Sequence, residues 1–163
     1  LFVQEASDTT VMEINQGGYV TMPLQPAFHV RKSGYQSNIG TSFETVTWDT
    51  EIFDVGGNFA SNQFTAPVTG KYQFNLVVRL QEIDTDHDYV QIRFVTTNRN
   101  HEAYIFDTGV YDQDSAYQTF ASSVLADLDA GDTCYIYIRA TGGTTQTDIS
   151  YSSDSHFSGY LVC

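Results

Sequence analysis

Between Lys71 and Gln81 every second residue is large and apolar: Tyr72, Phe74, Leu76, Val78 and Leu80, with Gln73, Asn75 and Arg79 among the residues between them. Side chains of an extended chain point alternately to opposite faces, so this period of two buries one face and wets the other. Wound as a helix, the same residues would scatter around the circumference, leaving no coherent face to bury. The turn Pro67-Val68-Thr69-Gly70 precedes the run and gives it a defined start.

The same period recurs down the chain. Phe28 and Val30 follow Pro26; Val90, Ile92 and Phe94 alternate with Gln91 and Arg93; Cys134, Ile136, Ile138 and Ala140 alternate with Thr133, Tyr135, Tyr137 and Arg139. Phe157, Gly159, Leu161 and Cys163 carry the pattern to the end. Val124 to Leu128 fits one helical turn or a strand. Val124, Ala126 and Leu128 keep the strand parity and Ala130-Gly131-Asp132 closes a turn, so strand is the expectation. Turn residues interrupt the alternation at short intervals, as in an antiparallel sandwich or barrel. With 163 residues, one core is expected. Residues 1–25 alternate only briefly, around Val11 to Ile14 and Tyr19 to Thr21, and read as a connector or as an extra edge strand; residues 26–163 read as the globular unit.

Twenty acidic residues against seven basic ones give a net charge of -13. Such a surface repels nucleic-acid phosphates and anionic membranes, so neither is an expected partner. No apolar run is long enough to cross a bilayer as a helix, so membrane insertion is not expected, and no signal-peptide pattern occurs in the sequence, so the chain is expected to begin inside a longer polypeptide. Cys134 and Cys163 lack metal or redox spacing and share the parity of core residues; both are expected to be reduced and buried. The histidines at 29, 87, 101 and 156 stand in no helix-borne metal motif, and no serine sits in a nucleophile turn, so no catalytic residue is assigned and the chain is expected not to be an enzyme. His156 reads as a loop residue before the last strand.

The order of landmarks is specific. Pro26-Ala27-Phe28 opens the unit, Trp48-Asp49 and Gly57-Asn58-Phe59 follow, and then comes Phe64-Thr65-Ala66-Pro67-Val68-Thr69-Gly70-Lys71-Tyr72-Gln73-Phe74. Leu128-Asp129-Ala130-Gly131-Asp132 and His156-Phe157-Ser158-Gly159-Tyr160-Leu161 complete the set. This pattern resembles the globular head family of complement component C1q, which groups with the tumour necrosis factor-like jelly rolls. The resemblance implies an all-β, ten-strand jelly-roll sandwich of two antiparallel sheets. It further implies a homotrimer and a ligand, protein or glycan, bound by exposed loops at a cell or virion surface. A purely structural trimerisation or virion-decoration module is the alternative; the lead-in from Gly18 to Phe28 is more similar to surface-fibre modules, including those of phage tail fibres.

By the same resemblance, Asp112, Asp114 and Gln118 fall where calcium-binding heads place oxygen ligands, and calcium is the one cofactor expected. Asp84, Asp86 and Asp88 alternate like the start of a calcium loop but lack its glycine and distant glutamate, so a charged hairpin tip is expected there. The loops 84–88, 111–115 and 142–155 are the expected ligand surface, with Asp84, Asp86, Asp88, Tyr111, Thr144 and Thr145 its candidate residues. Twenty-three aromatic residues are many for one sandwich core, and Tyr135, Tyr137 and Tyr160 fall on faces opposite the apolar set. These three are assigned to the trimer interface, since tyrosine buries area while its hydroxyl keeps a partner.

Overall fold

A computed structural model describes residues 2–4 and 10–163. Residues 1 and 5–9 of the expected connector lie outside the described residues. The rest of that segment forms β1 (Phe2–Gln4), β2 (Thr10–Ile14) and β3 (Val20–Thr21), an antiparallel sheet of their own in the order β1-β2-β3. Asn15 closes the β2–β3 hairpin by accepting from Gly17 and Tyr19 amides through its side chain.

The head follows as β4 (Ala27–Lys32), β5 (Glu44–Thr45), β6 (Thr50–Val55), β7 (Phe59–Ala60), β8 (Gln63–Thr65) and β9 (Gly70–Ile83). Then come β10 (His87–Thr96), β11 (Asn100–Phe106), a 3-10 turn at Thr108–Val110, β12 (Ser115–Leu128), β13 (Thr133–Gly142), β14 (Asp148–Ile149) and β15 (Ser152–Leu161). One sheet runs β11-β10-β13-β8-β7 with β5 on β13; the other runs β12-β9-β15-β4-β6 with β14 on β9. All pairs are antiparallel, and the two principal paths carry five strands each, the jelly-roll sandwich expected from the sequence. Val124 to Leu128 is strand, with Val124 opposite Phe74.

Alternation decides what each sheet contributes to the space between them. Tyr72, Phe74, Leu76, Val78 and Leu80 from one sheet meet Val90, Ile92, Phe94, Cys134, Ile136 and Ile138 from the other, all buried. At its centre Phe28 lies 4.9 Å from Phe59, 5.0 Å from Phe64 and 5.0 Å from Phe157, centroid to centroid. Gly159 keeps that cluster closed: a Cβ there would sit 2.5 Å from the Phe74 ring and 2.8 Å from Phe28. Tyr72 is buried with its hydroxyl donating to the Val68 carbonyl at 2.7 Å, which leaves no orphaned polar atom in an apolar wall.

Two expectations are corrected here. Cys163 lies past the end of β15 and is exposed, while Cys134 is buried; both thiols are free. Parity predicts burial only while pairing lasts, and β15 ends at Leu161. His156 is a strand residue, paired with Arg31 and Val77. Lys32 is also fully buried and donates through Nζ to the Thr47 carbonyl at 2.9 Å and hydroxyl at 3.0 Å.

Candidate functional site

Three segments converge at one end of the sandwich: the β9–β10 tip, the loop after the 3-10 turn, and the 143–147 loop between β13 and β14. Asp84 ties the first to the third. It is only 5% exposed and accepts from the Thr144 amide at 2.5 Å, the Thr144 hydroxyl at 2.7 Å and the Asp86 amide at 2.8 Å. These donors, the Thr144 N–H foremost, hold its carboxyl below the ordinary carboxylate range. Gly143 makes the approach possible: at φ +60° its position favours glycine, and a Cβ would meet Asp84 Oδ2 at 2.6 Å.

His87, buried beneath the same corner, bridges Gly142 and Thr147. Its Nδ1 lies 2.8 Å from the Gly142 carbonyl, which only accepts, so Nδ1 carries a proton; Nε2 lies 2.9 Å from the Thr147 hydroxyl. Asp114 ties in the second loop. Its Oδ1 accepts from the Thr85 amide at 3.0 Å and hydroxyl at 3.1 Å, and its Oδ2 from Gln146 Nε2 at 2.9 Å. The Thr85 amide, then the Gln146 amide and Thr85 hydroxyl, lower its titration as well. A cleft of ≈ 270 Å³ opens beside Asp114, lined also by Glu82, Ser115, Ala116 and Gln146.

The sequence-assigned residues thus divide. Asp84 and Thr144 bond directly, whereas Asp86, Asp88, Asp112 and Thr145 are exposed on the rim. Tyr111 donates from its hydroxyl to Gln118 Oε1 at 3.4 Å. Both oxygens of Asp114 are already engaged, and among the described residues no group of three or more His, Cys, Asp and Glu is gathered as a metal cage. The third loop is shorter than the expected 142–155, because β14 and the start of β15 fall within that stretch. Sequence reasoning missed Thr85, His87 and Gln146, whose roles depend on which loops meet. No Lys or Arg lies in 80–92, 100–138 or 140–163, and the Arg79 guanidinium lies over the Tyr117 ring at 5.0 Å.

Residues 27–162 match the model of the C1q domain family. The chain belongs to that family. Its C1q domain is similar to the globular domain of zebrafish complement 1qA protein, with a TM-score of 0.63 at 18% identity over 85% of this chain and 98% of that one. It is also similar to crystal structures of murine APRIL: at pH 8.5 the TM-score is 0.56 at 17% identity, and at pH 5.0 it is 0.57 at 17%, each over 85% of this chain and 99% of the other. At these identities the likeness establishes a shared fold. No curated protein matches the chain. Among the described residues, no helix of the C1q domain is long and apolar enough to cross a membrane.

The two outer sheet faces of this C1q domain differ, and they separate the three tyrosines assigned to one interface. Tyr160 is 47% exposed on the β12-β9-β15-β4-β6 face, which also carries Leu125 and Phe53, 58% and 46% exposed and each two strands away. Register lays out rows across it: Leu125, Gln73, Tyr160, Ala27; then Ser123, Asn75, Ser158, His29, Phe53; then Ala121, Val77, His156, Arg31. None of those residues is acidic. Tyr135 and Tyr137 lie on the opposite sheet, half-buried, with Phe43 stacked on Tyr137 at 5.6 Å and Arg93 and Arg139 over Phe43 at 4.5 and 4.4 Å. Phe43 thus covers one face of the Tyr137 ring within the same chain.

Proposed function

We propose that this C1q domain is a non-enzymatic recognition or attachment head, acting as a homotrimer at a cell or virion surface and binding a protein or glycan through its apical loops. The observation that carries the reading is the cross-bracing of three loops through Asp84, Asp114, Thr85, Thr144 and Gln146. A platform ordered before contact loses little conformational freedom on binding, so its polar rim is available for affinity. For association, the face with Tyr160, Leu125 and Phe53 supports burial against a neighbour: on a chain of net charge -13, the three rows named above carry no acid, so apolar contact there meets little repulsion. Calcium is proposed as an ion shared between subunits at the acidic apex. The arrangement within one chain does not form a cage, and Asp114 would contribute only by releasing Thr85 or Gln146.

The test is a glycan array together with cell-surface binding, comparing the wild type with a Thr144→Val, Gln146→Ala variant. Binding by the wild type that weakens in the variant supports the reading. A head that assembles but binds nothing favours the structural alternative, a trimerisation or decoration module.

A further inference from the structure

On the sheet face away from Tyr160, a hollow of ≈ 250 Å³ is lined by Thr45, Ser61, Asn62, Gln63, Tyr135 and Tyr137. Strand register builds its floor: Tyr137 lies opposite Thr45 of β5 and Tyr135 opposite Gln63 of β8, so four of the six lining side chains share one face of one sheet. The wall is the two-residue β7–β8 turn, where Ser61 and Asn62 both take left-handed backbone, φ 52° and 66°. Asn62 is pinned there because its Oδ1 accepts from the Trp48 amide at 2.7 Å, which commits one end of its carboxamide and leaves the amino end as a donor.

The two rings are set before any ligand arrives. Tyr137 is backed by Phe43, which in turn lies under two guanidinium groups; Arg93 is held by Glu102, and Arg139 by Gln91 and the Tyr89 hydroxyl. Tyr135 meets Tyr137 nearly at right angles, 77° at 4.9 Å, forming an aromatic corner. Burial and the Tyr137 hydroxyl push Tyr135 up to about 12, so its phenol stays neutral in ordinary buffers.

The chemistry of the lining selects a ligand class. It offers four hydroxyls, two carboxamides and two ring faces, and no ionised group, on a chain whose net charge is -13. An ion finds no counter-charge there. A purely apolar ligand would strip water from six polar side chains without replacing it. A pyranose meets both demands, with an axial-hydrogen face for a ring and a rim of hydroxyls for amides and phenols. The hollow lies just under the usual range of about 300–1,000 Å³ for drug-sized ligands, which suits one sugar ring. We propose that this hollow is a binding subsite for a single neutral sugar residue, separate from the apical loops.

The test is saturation-transfer NMR on the wild-type protein with galactose, glucose and N-acetylglucosamine, and with N-acetylneuraminic acid as the anionic control. At least one neutral sugar should show transfer, and the acid none. Gln63→Ala and Tyr137→Ala should each weaken the effect by about tenfold, the scale of losing one good anchor. Gln63 is half-buried at the rim, so its variant keeps the test valid even if Tyr137→Ala fails to fold. Val68→Ser, exposed and lining neither the hollow nor the apical cleft, should leave sugar binding unchanged. Absence of transfer from every neutral sugar at millimolar concentration would overturn the proposal. So would transfer that survives Gln63→Ala, or a Gln63→Ala protein that has lost the wild-type oligomeric mass, which would place the hollow in a subunit contact.

Discussion

Asp84→Ala is the sharpest perturbation of the apex. The carboxylate is 5% exposed and accepts three hydrogen bonds, from Thr144 N, Thr144 Oγ1 and Asp86 N. Hydrogen bonds to a charged group contribute about 1.5–3 kcal/mol each, but they do not add, because once the first is lost the exposed Thr144 and Asp86 can turn to water. The expected net loss is therefore about 3 kcal/mol, a large part of the roughly 5–15 kcal/mol that holds a domain folded. For a chain of this length that lowers the melting temperature by about 6–12 °C. Urea denaturation of Asp84→Ala, Thr144→Val and the double variant measures it, and the two substitutions should couple by more than about 0.5 kcal/mol. Additive losses, or a loss from Asp84→Ala no larger than that from exposed Asp86→Ala, would refute the bracing argument.

In the native protein one thiol per chain should react with a thiol reagent and two after denaturation without reductant, because burial raises the Cys134 thiol while Cys163 is exposed; none reacting, or a disulfide, contradicts this. Stability should hold near neutral pH and fall on acidification in two stages. His29, lowered by burial and then by His156 and Arg31, takes up its proton more readily unfolded, so its contribution is present above about 6.5 and lost as pH falls through its lower folded value. Asp84 and Asp114 behave likewise below about 3.9, so a melting temperature that rises between pH 7 and pH 5 would contradict the histidine sign, and one that rises as pH falls below about 3.9 the carboxylate sign. Calcium at a hundredfold excess over its dissociation constant should add about 2.7 kcal/mol, read as a shift in melting curves between calcium and chelator. An unchanged shift in an Asp112→Ala, Asp114→Ala variant would rule out the apical ion.

The strands were legible because β9, β10 and β13 bury one face completely, and Tyr72 to Leu80 or Cys134 to Ala140 then alternate without exception. The single rule failed where a chain end or a side-chain partner decides. Cys163 keeps core parity after pairing has stopped, Lys32 is buried because Thr47 accepts its hydrogen bonds, and Trp48, outside any strand, is 7% exposed against Phe157. Glu82 sits at φ 53° within β9, which no local sequence signal announces. The apical loops were identified as exposed segments, but their bracing joins Thr85 to Asp114 and Gln146 to Asp114, contacts between residues 29 and 32 positions apart. Pairing of that kind is set by the arrangement of the strands, and so is the placing of Tyr135 and Tyr137 on one face and Tyr160 on the other.

Light scattering coupled to gel filtration, at micromolar protein in physiological salt with calcium, tests the proposed assembly most directly. The account predicts a mass of three times the 18.2 kDa chain, falling toward one chain in a Tyr160→Glu, Leu125→Glu variant that keeps its β-sheet circular dichroism. A wild-type mass of one chain, or a trimer indifferent to those two charges, would contradict it.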